Sequence, residues 1–443
     1  MVAIVAKCHA YPEQVTRTGA SPRTAVLSAT AGLALVAASM IFAYPDVDLA
    51  FPPLHATWDP GFGRQGLVAL VVGLVLWLVV EPIAARLAWR PMLAVAYAAL
   101  WVWTMVLAQT VGREGLASVF ERRQEYVYDA QSIGSIHTML ETFISRIPAD
   151  AADNWYVHVA GHPPGALLYF VGIDRLGITD PFWIGVVCVT ISSTAVVAVL
   201  VTLRTLGSEQ LGRSAMPWIV LAPSAVWMGV NGDAVFTAVA AWGLALLALA
   251  AVHRRILPAI GAGLLLGYCV YLSYGLVLLG ILALAVLIIA RTWRPLPWAV
   301  GGAAVVAALF TAGGFSWWKA YPVLRERYYA GIASERPFSY WAWADIAAWT
   351  FTVGLVVWAA FPYAARAFRQ RNVLAQLAAA ALLTIVVATA SGMSKAEVER
   401  IFLPFTIWIV ALPALLPRRW HRPLLLVQMF TGLAAELLLL TRW

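Results

Sequence analysis

Residues 231–255, NGDAVFTAVAAWGLALLALAAVHRR, decide the fold. Between the polar Asn231-Gly232-Asp233 and the basic His253-Arg254-Arg255, residues 234–252 carry no ionisable side chain. As a helix that run is about 28 Å long, close to the depth of a bilayer's hydrocarbon core. Similar runs recur from one end of the chain to the other. Lipid offers no partners for backbone N–H and C=O groups, so repeated runs of this length imply helices that satisfy their own backbone. Composition agrees: 62% of the 443 residues are hydrophobic and only 12% are charged, with a mean hydropathy of +0.80. The expected fold class is all-α, a polytopic transmembrane helical bundle. The 21 Trp residues suit the aromatic belts of such a protein.

A net charge of +8 and a pI near 9.5 suggest nucleic acid at first sight. The basic residues, however, sit in short clusters between apolar runs and form no continuous surface. No nucleic-acid partner is expected, and the positive-inside rule accounts for the clusters. They are Lys7, Arg17 and Arg23; Arg86 and Arg90; Arg204 and Arg213; His253, Arg254 and Arg255; Arg291 and Arg294; Arg366, Arg369 and Arg371; and Arg418, Arg419, His421 and Arg422. Placing all of them in the cytoplasm gives about thirteen crossings, with the N-terminus inside and the C-terminus outside.

The spans fall near 24–44, 66–84, 92–110, 181–203, 216–231, 234–252, 257–273, 275–290, 297–314, 342–362, 373–390, 401–416 and 423–440. Residues 1–23 read as a cytoplasmic tail without a signal peptide's apolar core, so the first run is expected to stay as an anchor. Residues 24–443 then form one multi-pass domain, expected in a plasma (bacterial inner) membrane. Residues 165–178 are short for a span and are expected on the outer surface or as a re-entrant helix. Cys8, Cys188 and Cys269 are far apart in sequence and suggest neither a disulfide framework nor a metal cluster.

This topology leaves 111–180 as the main outer loop, with later outer loops at 315–340 and 390–400. In the first, Glu125 and Asp129 are four residues apart and share a face on a helix. A carboxylate at the membrane surface can act as general base on an acceptor hydroxyl; the plain alternative is an interfacial helix with solvated charges. His158 and His162 have the spacing of a helical zinc pair. Gly161 and Pro163-Pro164 oppose a continuous helix there, so His162-Pro163-Pro164-Gly165 reads better as a rigid turn opening a short helix. Asp233, beside two apolar runs, is either a functional carboxylate or part of a helix cap. Ser394-Lys395-Ala396-Glu397-Val398-Glu399-Arg400 precedes a late span. Its cations, with Lys319, Arg325, Arg327 and Arg336 of the preceding loop, are suited to a phosphate; internal salt bridges such as Lys395 with Glu399 are the alternative. Glu436, alone in the last run, is given no role.

Taken in order, these motifs resemble the GT-C superfamily of membrane glycosyltransferases, in particular protein O-mannosyltransferases and related polyprenyl-phosphate-sugar enzymes. The resemblance rests on Glu125-Tyr126 with Asp129 in the first large outer loop, and on His162-Pro163-Pro164, which follows Glu125 by 37 residues. Asn231-Gly232-Asp233 and Glu399-Arg400-Ile401-Phe402-Leu403-Pro404 complete it. It spans roughly Met92 to Pro404. Two features depart from the family: Gln124-Glu125 stands where an Asp-Glu pair is usual, and two apolar runs precede the family's first helix.

The resemblance implies a GT-C-like fold and transfer of a sugar, mannose-like or other, from a polyprenyl-phosphate donor to an extracytoplasmic glycan, lipid or protein in cell-envelope assembly. Glu125 or Asp129 would take the acceptor's proton. Tyr126, His162, Asp233 and Glu399 would line the substrate site, and Arg327, Arg336, Lys395 and Arg400 would hold the phosphate. No cofactor is implied beyond the donor, and a divalent metal is left open. The competing expectation is a transporter or flippase of lipid-linked saccharides. Such proteins place ionisable groups near the middle of the membrane, whereas here they gather at one surface.

Overall fold

The computed structural model describes residues 20–43 and 49–441; Lys7, Cys8 and Arg17 lie outside them. The described residues are all-helical apart from two short strands. Among the described residues, six helices are long and apolar enough to cross a membrane: Pro22–Ile41, Arg64–Arg86, Trp89–Ala108, Pro181–Leu206, Gly232–His253 and Val373–Ala390. Two bent pairs, Leu296–Ala312 with Trp317–Ala330 and Phe338–Val353 with Leu355–Arg369, make eight if each is one span. Other expected crossings are shorter helices, namely Ile256–Leu272, Tyr274–Ile289 and Leu403–Leu415. Length and composition thus support six to eight of the expected crossings.

The shortfall has local causes. The run 216–231 stops being α-helical at Val220, because Ala222 precedes a proline and takes an extended conformation. The run 342–362 is not one helix but bends by 100°. The bend is at Gly354, whose φ of +75° suits glycine. A Cβ at Gly354 would lie 2.1 Å from Gln428 Oε1. Gln428 donates Nε2–H to the Val353 carbonyl at 2.8 Å, satisfying an acceptor at the helix end.

Small residues set the packing elsewhere. A Cβ on Gly263 would lie 1.9 Å from the Ala299 carbonyl oxygen, and one on Gly302 would lie 2.5 Å from that of Ile260. The Ile256–Leu272 and Leu296–Ala312 helices therefore meet backbone to backbone, as glycine permits in membranes. Gly263→Leu is expected to destabilise the protein by at least about 1–3 kcal/mol, read as a lowered thermal midpoint in detergent. Gly301→Leu, where a Cβ meets nothing within 4 Å, is the neutral control.

The bundle has two chemically different ends. At one, Arg213 Nη1 donates to the Ala84 and Leu87 carbonyls at 2.7 Å, closing the last turn of Arg64–Arg86. Arg204 lies over Trp89, and Trp77 Nε1 donates to the Arg422 carbonyl, so three of the basic clusters converge there. At the other end Ala56–Trp58 pairs antiparallel with Leu439–Thr441, Ala56 opposite Thr441. The segment after the first helix and the chain's last described residues therefore lie at the same end of the bundle. Glu436 is found here, accepting from Thr110 Oγ1 at 2.7 Å. Cys188 and Cys269 are buried free thiols.

Candidate functional site

The segment between Trp89–Ala108 and Pro181–Leu206 is clasped at its ends by Arg113 and Asp180, whose side chains meet at 2.8 Å. Short helices fill it, including Glu114–Glu121, Tyr126–Ser132, Ile136–Thr142, Val157–Gly161 and Pro164–Arg175. Pro163 and Pro164 start the last of these, with Pro164 at its first position. His162 before them is extended, as a residue preceding proline should be. The helix then lies against Ile256–Leu272, with Tyr268 Oη donating to the Gly165 carbonyl at 2.8 Å.

Glu125 and Asp129 do not work as a pair on one helical face. Glu125 is the extended residue before the first turn, with φ −85° and ψ 172°. Its carboxylate is buried and meets His158 Nδ1 at 2.8 Å. Asp129, one turn into the helix, faces Arg146, Arg123 and the backbone N–H of Tyr156. Burial outweighs these partners and raises the Asp129 pKa, and Asp129 Oδ2 has no hydrogen-bond partner among the described residues.

On the Glu125 side, Tyr126 stacks on Phe170 with ring centroids 4.9 Å apart and meets the His162 ring edge-on at 5.8 Å. His162 Nδ1 lies 2.8 Å from the His158 carbonyl. The two imidazoles are pushed in opposite directions. Burial lowers the His162 pKa, and Asp233 only partly offsets it. Burial would lower that of His158 too, but the charge and hydrogen bond of Glu125 outweigh it and the pKa rises. The folded chain therefore favours a protonated His158 beside Glu125.

That ion pair has a readable consequence. A group whose pKa is higher folded than unfolded stabilises the fold below the unfolded value, near 6.5, and the contribution fades as pH rises through the folded value. Raising the pH from about 6 to about 8 is expected to narrow the stability gap between wild type and His158→Gln. Thermal midpoints of the two proteins across that range check it; a gap that does not change with pH would contradict the ion pair.

Asp233 closes the network from the facing helix. Asn231 caps Gly232–His253, its Oδ1 accepting from the Ala234 N–H at 2.9 Å. Asp233, in the first turn, is thereby free to meet Arg400 Nη1 at 2.5 Å. Capping and a charged contact coexist here, divided between two neighbouring side chains. Arg400 Nη2 also binds Glu397 at 2.6 Å. Burial opposes the charge of Glu397, yet Arg400, His158 and Arg336 outweigh it and lower its pKa to about 2. For Arg400, Asp233 and Glu397 likewise overcome burial and raise the pKa. Ala396 and Glu397 both have positive φ, 67° and 60°, a conformation costly for residues with a Cβ. The arrangement sends the Ala396 N–H to Asp345 Oδ1 at 2.9 Å and turns Glu397 between Arg336 and Arg400.

The other residues expected from sequence divide into two groups. Arg336 lies 3.8 Å from Glu397 and donates to the Lys395 carbonyl at 2.6 Å. Lys395 Nζ donates to the Ala333 carbonyl at 3.1 Å and not to Glu399. Burial, with Arg336 nearby, lowers the Lys395 pKa. Glu399 is buried on the Asp345 side, where the two carboxylates interact. The Arg327 guanidinium donates to the Ile147 and Trp155 carbonyls, which braces the long outer segment. Two residues absent from the expected set, His158 and Glu397, join its members. His158 is one turn before His162, and Glu397 lies inside the quoted charged run; each was legible as a motif member but not as a contact.

The structure thus brings Glu125, Tyr126, His162, Asp233 and Arg400 together and places Arg336, Lys395 and Glu399 beside them. Among the described residues, no group of three or more His, Cys, Asp or Glu side chains is arranged to hold a metal ion. No family model matches the chain, and no curated protein matches it in sequence.

Proposed function

We propose that the protein is a membrane glycosyltransferase of GT-C-like architecture, transferring a sugar from a polyprenyl-phosphate donor to an acceptor outside the cytoplasm. The observation that carries this reading is the buried Glu125 carboxylate, held by His158 in a charged network at one end of an apolar bundle. Glu125 takes the proton of the acceptor hydroxyl as its oxygen attacks the sugar's anomeric carbon. The anomeric C–O bond breaks, and polyprenyl phosphate leaves with the bonding pair. One positioned base and direct displacement give inversion at that carbon.

The cations are unequal in what they offer the leaving phosphate. Arg400 is already matched by Asp233 and Glu397. Arg336 is only loosely paired, and Lys395 Nζ bonds a neutral carbonyl. These two are the groups that would stabilise growing phosphate charge, with Arg400 fixing Asp233 and Glu397 behind them. Tyr126 and His162 form the wall beside Glu125. The apolar bundle surface suits a polyprenyl tail. In this reading the N-terminus and the basic end face the cytoplasm of a plasma membrane, and the site faces outward.

The test is purified protein in nanodiscs, given a panel of radiolabelled polyprenyl-phosphate sugars and a membrane-lipid extract as acceptor. Label passing from one donor to an acceptor supports the reading and names the sugar. Failure of every donor both to bind and to react would sink it.

A further inference from the structure

A second site lies at the basic end of the bundle. A cavity of about 90 Å³ is lined by Glu81, Gln210, Arg213, Ser214, Arg418 and His421. It has room for about three water-sized groups. Arg213 is held in place by Glu209 at 2.6 Å and by two backbone carbonyls. His421 is more than nine-tenths buried. Its Nε2 meets the Leu416 carbonyl at 2.9 Å, leaving Nδ1 with Glu81 as its nearest acid, 4.0 Å away and beyond hydrogen-bond reach.

The helix that carries Arg418 and His421 is electrostatically unbalanced. Arg418–Leu438 begins after Pro417, with no side-chain cap and no acidic residue in its first turn. The start of a helix is its positive pole and favours anions. Here Arg418, Arg419 and Arg422 crowd that pole instead. Arg422 packs over Trp77 at 5.0 Å, which leaves its charge at the same end. A bound anion would offset this repulsion.

We propose that the cavity holds the phosphate of an anionic membrane lipid. Basic pockets between transmembrane helices recognise such headgroups. The cavity lies between the Arg64–Arg86 and Arg418–Leu438 helices, and Leu78, 47% exposed and one turn before Glu81, offers apolar surface for an acyl chain. A free phosphate would use the same polar groups but not that surface. The site is at the opposite end from Glu125 and does not depend on the glycosyltransferase reading.

The experiment follows thermal unfolding of the full chain in detergent micelles during titration with dioleoyl phosphatidylglycerol, dioleoyl phosphatidylcholine or inorganic phosphate. Phosphatidylglycerol is expected to raise the midpoint, and the other two to leave it in place. Arg418 is exposed, so Arg418→Gln should fold normally and need about fivefold more phosphatidylglycerol for the same shift. Ser214→Phe, which fills the cavity and removes no charge, is expected to weaken the response at least as much. Arg254→Gln, at another basic helix end, keeps the wild-type titration. The proposal is overturned if phosphatidylcholine or inorganic phosphate matches phosphatidylglycerol, if Arg418→Gln titrates like wild type, or if Arg254→Gln loses as much as Arg418→Gln.

Discussion

Glu125→Gln is expected to slow sugar transfer by about 10²–10⁴-fold, the contribution usual for a positioned general base. Glutamine keeps the size of the side chain and can still accept from His158, so the loss should appear in kcat with donor binding retained. Asp129→Asn is the matched control. Asp129 lies inside the short helix that Glu125 precedes, among Arg146, Arg123 and the Tyr156 backbone. Initial rates of label transfer at saturating donor separate the two. A larger loss in Asp129→Asn would move the base to Asp129.

The second large effect concerns stability. Arg400→Met is expected to cost about 3–5 kcal/mol, because it leaves buried carboxylates without their counter-charge. Asp233 and Arg400 are both buried, and the same guanidinium binds Glu397. The partner variant Asp233→Asn should be milder, since Glu397 still neutralises Arg400. Combined with Arg400→Met, it should destabilise less than the two single effects added, a coupling on the order of 0.5–3 kcal/mol. Denaturation in detergent reads all three proteins. Strict additivity would mean that the Asp233–Arg400 pair contributes little.

How much of this was legible in the sequence depended on range. Residues 234–252 and 373–390 announce their helices because neither run holds a charge or a proline. The run 342–362 is nearly as apolar, with Asp345 its one charge, yet it bends at Gly354; the close approach of Gln428, more than seventy residues away, is invisible in a linear reading. The turn at His162-Pro163-Pro164 was readable because proline restricts its own φ and its neighbour's ψ. The charged residues were readable as motifs, while their partners were not. Glu125 and Asp129 have a shared-face spacing, but Glu125 falls just outside the first turn and goes to His158. Arg327 was readable as a cation, while its two backbone-carbonyl partners were not.

The most direct test of the central claim separates bond cleavage from movement of an intact lipid-linked sugar. Proteoliposomes carrying wild type or Glu125→Gln are loaded with a radiolabelled polyprenyl-phosphate sugar and supplied with acceptor lipid extract. The products are then resolved into intact donor, polyprenyl phosphate and glycosylated acceptor. The account predicts that wild type forms polyprenyl phosphate and glycosylated acceptor in equal amounts, and that Glu125→Gln binds donor but forms neither. Intact donor crossing the bilayer at the same rate in both proteins, with no product, would contradict it and identify a transporter.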